Sequence, residues 1–166
     1  MSSARARRLP KNPASILTEE TVPNRSFPTE LWTPRALAVL RIVTGYLFLL
    51  HGSAKLLGFP HGAGSGTVSL MSLIGAAGLL ELIGGALIVV GLWVRPTAFV
   101  LSGEMAVAYF AAHASPATVL FPLLNRGDAA VLYCFVFLFL AAAGGGAWGL
   151  DAMRRARAAP TAVHAA

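Results

Sequence analysis

The polar positions along this chain are sparse, and they divide it into apolar stretches long enough to be membrane helices. Four runs stand out, at about 36–57, 71–92, 97–114 and 128–143, separated by turn-rich connections at 58–69, around Val94–Pro96, and at 115–127. A span of roughly 20 apolar residues crosses a hydrocarbon core, so the pattern predicts an all-α membrane protein, a four-transmembrane-helix bundle. Residues 1–34, rich in Pro, Ser, Thr and Arg, read as a disordered cytoplasmic tail. Residues 35–151 read as the four-helix membrane domain and 152–166 as a basic C-terminal tail. Trp32 and Trp148 stand beside the first and last runs, where tryptophan anchors a helix at the interface, and Pro34 or Arg35 is placed to open the first helix.

Composition sharpens this reading. Of 166 residues 56% are hydrophobic and 12% charged, with mean hydropathy +0.68, which leaves no room for a separate soluble domain. The net charge of +6 lies mainly in the two tails, where topology and anionic lipid account for it; no groove-reading motif is present, so nucleic acid is excluded as a partner. The glycine-rich connection after Lys55 lacks the GxxxxGK[ST] pattern of a phosphate loop. Cys134 is the single cysteine, so disulfide and CxxC chemistry are absent from the chain itself. Lys and Arg number ten on the two tails and the middle connection, against one, Arg126, on the others, which predicts both termini in the cytoplasm of a multi-pass cell-membrane protein.

The charges left inside the apolar runs are the candidate chemistry. Arg41, Gly45, Phe48, Gly52 and Lys55 follow one another at intervals of 4, 3, 4 and 3, so they share one helix face. Glu81 stands near the middle of the second run and Glu104 inside the third. Ionisable groups at such depth turn toward a bundle interior and toward each other. Counting about 1.5 Å per residue from the expected cytoplasmic ends puts Arg41 about 9 Å deep, Glu104 about 12 Å, and Glu81 and Tyr46 about 16 Å. The expected binding site is therefore a buried layer of Arg41, Tyr46, Glu81 and Glu104, in which one cation faces two acids and one acid is expected to stay neutral. His51, Lys55, His113 and Tyr133 form an expected outer polar tier. Two separated histidines without a third ligand do not make a metal site, and no catalytic residue is assigned.

The ordered set of these residues resembles the DoxX family of small bacterial membrane proteins. The likeness runs through Arg41, Gly45, Phe48, His51, Gly52 and Lys55, then Gly78, Glu81, Gly84, Gly85 and Gly91. It continues with Arg95, Glu104, Met105 and His113, the Asn125, Gly127, Asp128, Ala130 and Tyr133 run, and finally Gly146 and Asp151, covering about residues 36–151. Where the family's usual acid looks to be Glu, this chain has Asp128. The resemblance implies a membrane subunit or anchor of a redox system, quinone-linked or concerned with oxidative stress, with soluble redox enzymes as partners. It carries the label of oxidoreductase without an intrinsic flavin, haem or iron–sulfur motif, so a bound quinone is the cofactor it admits. The alternatives are a quinone-binding oxidoreductase component in its own right, or a small-molecule carrier or assembly factor. Glycine faces permit a homo-oligomer.

Overall fold

The computed structural model describes residues 28–62 and 67–158, and among these the chain is helical, with no strand. The expected disorder of residues 1–27, part of the first connection and the last eight residues of the tail lie outside the described residues. The elements are α1 (Thr29–Leu57), α2 (Leu73–Val90), α3 (Val94–Ala108), α4 (Pro122–Asn125), α5 (Asp128–Ala143) and α6 (Leu150–Ala158). A π-helical turn, Tyr109–His113, prolongs α3.

Local chemistry sets most of the boundaries. Ser72 caps α2 by accepting from the Gly75 N–H at 3.0 Å. Gly91 ends α2 at φ 72°, where its N–H returns to the Leu87 and Ile88 carbonyls. Two boundaries differ from expectation. Helix α1 begins at Thr29, so Trp32 and Pro34 lie inside a helix that was read as tail up to 34. Pro34 is tolerated because, in the second turn, it removes one hydrogen bond only, the one its N–H would make to residue 30. The chain from 150 to 158 is also helix rather than tail: alanines favour it, Asp151 lies in its first turn and Arg155 and Arg157 in its last, the charge order that suits the helix dipole.

The long helices run alternately up and down. The most extensive contact is α1 on α2, followed by α3 on α5; α2 touches α3 less, and where α1 meets α5 Phe48 sets its ring edge against Phe137, centroids 4.8 Å apart. The α1–α2 contact is a seam of glycines. A Cβ at Gly52 would collide with the backbone of Leu82 and Gly78, and one at Gly85 would stand 2.7 Å from the Leu49 nitrogen. Only hydrogen lets the two backbones approach so closely.

The bundle is apolar on its outside. Val43 and Leu47 on α1, Ile83 on α2, Phe99 and Val107 on α3, and Leu132, Phe135 and Phe139 on α5 are all exposed, while Arg41 and Glu81 are buried. A water-soluble protein rarely exposes contiguous apolar surface on this scale. Helices α1 and α2 are each long and apolar enough to cross a membrane.

Candidate functional site

Four helices contribute to one polar cluster, located in the half of the bundle away from the described chain ends. Lys55, near the end of α1, donates from Nζ to Glu81 Oε1 on α2 at 2.5 Å. The Lys55 side chain keeps 31% of its surface exposed, whereas that of Glu81 keeps 2%. Glu81 Oε2 and both oxygens of Glu104, on α3, are buried and have no hydrogen-bond partner among the described residues. Glu104 lies in the electrostatic reach of both Glu81 and Lys55, and the Tyr133 hydroxyl, on α5, in that of Glu81. Aromatic rings wall the cluster: Tyr133 packs against Phe48 at 5.4 Å and stands edge-on to His51 at 5.8 Å between centroids. His51 is exposed and ties Nδ1 to the Leu47 carbonyl at 2.8 Å, so Nε2 is left for an outside partner.

This arrangement differs from the expected layer. Arg41 is fully buried but meets neither acid; it spends its donors on backbone carbonyls. Nε reaches Gly145 at 2.9 Å, Nη1 reaches Ile88 at 2.5 Å and Val89 at 2.6 Å, and Nη2 reaches Trp148 at 3.1 Å. These carbonyls lie at the C-terminal end of α2 and in the turn after α5, positions that favour a cation. Tyr46 is 54% exposed on the outer face of α1 and takes no part. The site that forms is Lys55, Glu81, Glu104, Tyr133 and His51, which joins the two acids to residues expected in the outer tier. His113 lies in the π-helical turn with Nδ1 3.2 Å from the Asn125 carbonyl. There it belongs to a turn stapled by Asn125, whose Nδ2 donates to the Tyr109 hydroxyl at 3.1 Å and to the Thr118 carbonyl at 3.0 Å, while Oδ1 accepts from the Gly127 N–H at 2.8 Å.

One structural contact had no local signal. Asp151 accepts from the Trp93 N–H at 3.1 Å and the Val94 N–H at 2.9 Å, and so caps α3 from across the chain, while its own N–H bonds to the Gly91 carbonyl at 2.9 Å. Asp151 also lends Arg41 a favourable charge. Among the described residues no three His, Cys, Asp or Glu side chains converge to hold a metal. An outward groove of about 360 Å³ between α2 and α3, walled by Leu79, Ile83, Leu87, Trp93, Pro96 and Val100, does not touch the acids.

Apolar outer walls around a charged, partly unpaired interior define the class: a helical membrane protein with a buried acid–base cluster. The DoxX family model matches residues 36–114, and the chain belongs to that membrane-associated family. An uncharacterized protein of Haemophilus influenzae is 45% identical over 125 residues, covering 74% of this chain and 92% of its own length. No solved structure matches the chain.

Proposed function

We propose that the protein is the membrane subunit of a quinone-linked redox system, with the Lys55–Glu81–Glu104–Tyr133 cluster as the place where a quinone head group and its protons are handled. In this reading the chain crosses the cell membrane four times, with both termini in the cytoplasm. Helix α5 supplies about 24 Å at 1.5 Å per residue, and α3 reaches comparable length through its π-helical turn. The positive residues that gather at the terminal end support the orientation.

The observation that carries the proposal is the unused hydrogen-bonding capacity. Lys55 matches one carboxylate, which leaves Glu81 Oε2 and both Glu104 oxygens buried with nothing to bond among the described residues. Buried polar groups without partners cost free energy and cluster where a ligand or a proton completes them. The donor set fits a quinone, because the Lys55 ammonium, the Tyr133 hydroxyl and a protonated carboxyl can each donate to a carbonyl oxygen. A bound quinone would supply two-electron, two-proton chemistry that no side chain here can perform. The protein's part is to hold the head group out of water, to store a proton at Glu104, and to exchange it through Tyr133 and the exposed His51.

The test is chemical analysis of protein purified from its own membranes in mild detergent. Quinone retained above a lipid blank, and reduced by Glu104→Gln and Glu81→Gln in correctly folded protein, is expected. An amount equal to the blank sinks the quinone reading. Soluble redox enzymes retained in the same preparation without quinone would instead favour a pure anchor.

A further inference from the structure

All three tryptophans of the chain lie at one end of the bundle. Trp32 is in the opening turns of α1, Trp93 in the tight connection between α2 and α3, and Trp148 after α5; each is about half exposed or more. Tryptophan gathers at head-group level, so this end marks one membrane–water boundary. Trp148 is brought beside α1 because the Ala147 N–H bonds to the Pro34 carbonyl at 2.9 Å, and because Gly146 leaves space for that carbonyl and the Ala38 backbone. Between Trp148 and α1 runs a groove of about 750 Å³. Trp32, Arg35 and Trp148 line its boundary end, and Val39, Leu40 and Val43 extend it down the apolar face of α1.

We propose that this groove binds an anionic phospholipid, its phosphate on Arg35 and one acyl chain along Val39, Leu40 and Val43. Arg35 is held over the Trp32 ring with its guanidinium carbon 5.6 Å from the centroid, and it has no carboxylate ion-pair partner among the described residues. That geometry leaves the planar guanidinium edge for a phosphate while the ring fixes its position. The wall below it carries no charge and is continuous with the lipid-facing surface, which suits an acyl chain and excludes a free anion as the full occupant. The exposed arginines of α6 lie at the same end but do not line the groove. The inference does not depend on the redox reading.

The experiment uses full-length protein carrying Trp93→Phe, so that Trp32 and Trp148 report, reconstituted in phosphatidylcholine vesicles. Brominated phosphatidylglycerol is compared with brominated phosphatidylcholine as a quencher of tryptophan fluorescence. The anionic lipid is expected to compete about fivefold better, the preference that one arginine at head-group level gives. Arg35→Gln should bring the ratio close to one, Arg35→Lys, which keeps the charge but not the planar edge or the ring contact, should lower it part of the way, and the triple change Arg154→Gln, Arg155→Gln, Arg157→Gln should leave it in place. Equal quenching in the parent, an unchanged preference in Arg35→Gln, or its loss in the triple variant would each overturn the proposal. Circular dichroism of every variant guards against misfolding; if Arg35→Gln does not fold, Arg35→Met, which keeps the apolar stem without the charge, should bring the ratio close to one, and an unchanged preference in it overturns the proposal.

Discussion

Arg41 offers the sharpest test of how this bundle is held together. Its side chain is fully buried and makes four hydrogen bonds that join α1 to the end of α2 and to the turn after α5. Interhelical hydrogen bonds within membranes contribute about 0.6 kcal/mol on average and about 1.7 at most. Four of them, with a buried cation among the partners, place the cost of Arg41→Met at about 3–5 kcal/mol. Methionine roughly preserves the stem, so the loss reports the donors rather than a cavity. Arg41→Lys keeps the charge but not the fork, and should cost about half as much. Equilibrium unfolding in mixed micelles, followed by tryptophan fluorescence, gives both values. The double variant Arg41→Met, Glu81→Gln then separates two architectures. If Arg41 belonged to the acid layer, the two changes would be strongly coupled; in this structure they act in different halves of the bundle and should add within about 0.5 kcal/mol. A coupling above about 1 kcal/mol, or an Arg41→Met cost no greater than that of the lipid-facing Val43→Ala, would refute the reasoning.

Lys55→Met leaves Glu81 buried without its cation; given the partial exposure of Lys55, a loss on the order of 2 kcal/mol is expected, with much of it recovered when Glu81→Gln is added, as a double-mutant cycle would measure. Gly52→Ala drives a methyl into the α2 backbone and should destabilise by about 1–3 kcal/mol. Gly103→Ala, where an added Cβ meets nothing within 4 Å among the described residues, should be neutral or slightly stabilising in the same equilibrium unfolding. Asn125→Ala removes three hydrogen bonds from the turn before α5 and should cost about 2 kcal/mol, with faster amide hydrogen exchange confined to residues near 114–127. Tyr46→Phe, on the outer face of α1, should change neither stability nor quinone retention.

Periodicity carried much of this architecture and register carried the rest. The face of α1 read from intervals of 3 and 4 is the buried one: Arg41, Gly45, Phe48 and Gly52 are buried and Lys55 is half-buried. Helix α5 begins at the Asp128 that the sequence singled out and ends before the expected glycines. Pairing across helices was not legible, because depth was counted from assumed membrane edges. Helix α1 starts six residues before Arg35, and the glycine seam sets Gly85 near Leu49 and Gly78 near Lys55. In that antiparallel register Glu81 comes level with the turn around His51, about 15 Å along the axis from Arg41 and about 6 Å from Lys55. A guanidinium cannot span the first distance and an ammonium on four methylenes spans the second. The capture of Trp93 and Val94 by Asp151 joins residues 57 and 58 apart, a contact that no local pattern encodes.

The two buried polar groups of this bundle therefore differ in what they have left to offer. Arg41 has five N–H donors and makes four hydrogen bonds, all to backbone carbonyls at the end of α2 and in the turn after α5. Such a cation is held through all three of its nitrogens, and its removal is expected to show as lost stability. Glu104 has two acceptor oxygens and, among the described residues, no partner for either, beside a Glu81 that is half satisfied. A membrane protein that retained this pair for packing alone would gain by replacing Glu104 with an apolar residue of similar volume. Glu104→Met is thus the substitution in which stability and function should move in opposite directions. The folded state should tolerate it or be strengthened, while quinone retention or proton exchange should fall. A Glu104→Met protein that is both less stable and unchanged in ligand retention would place the acid among the structural groups with Arg41.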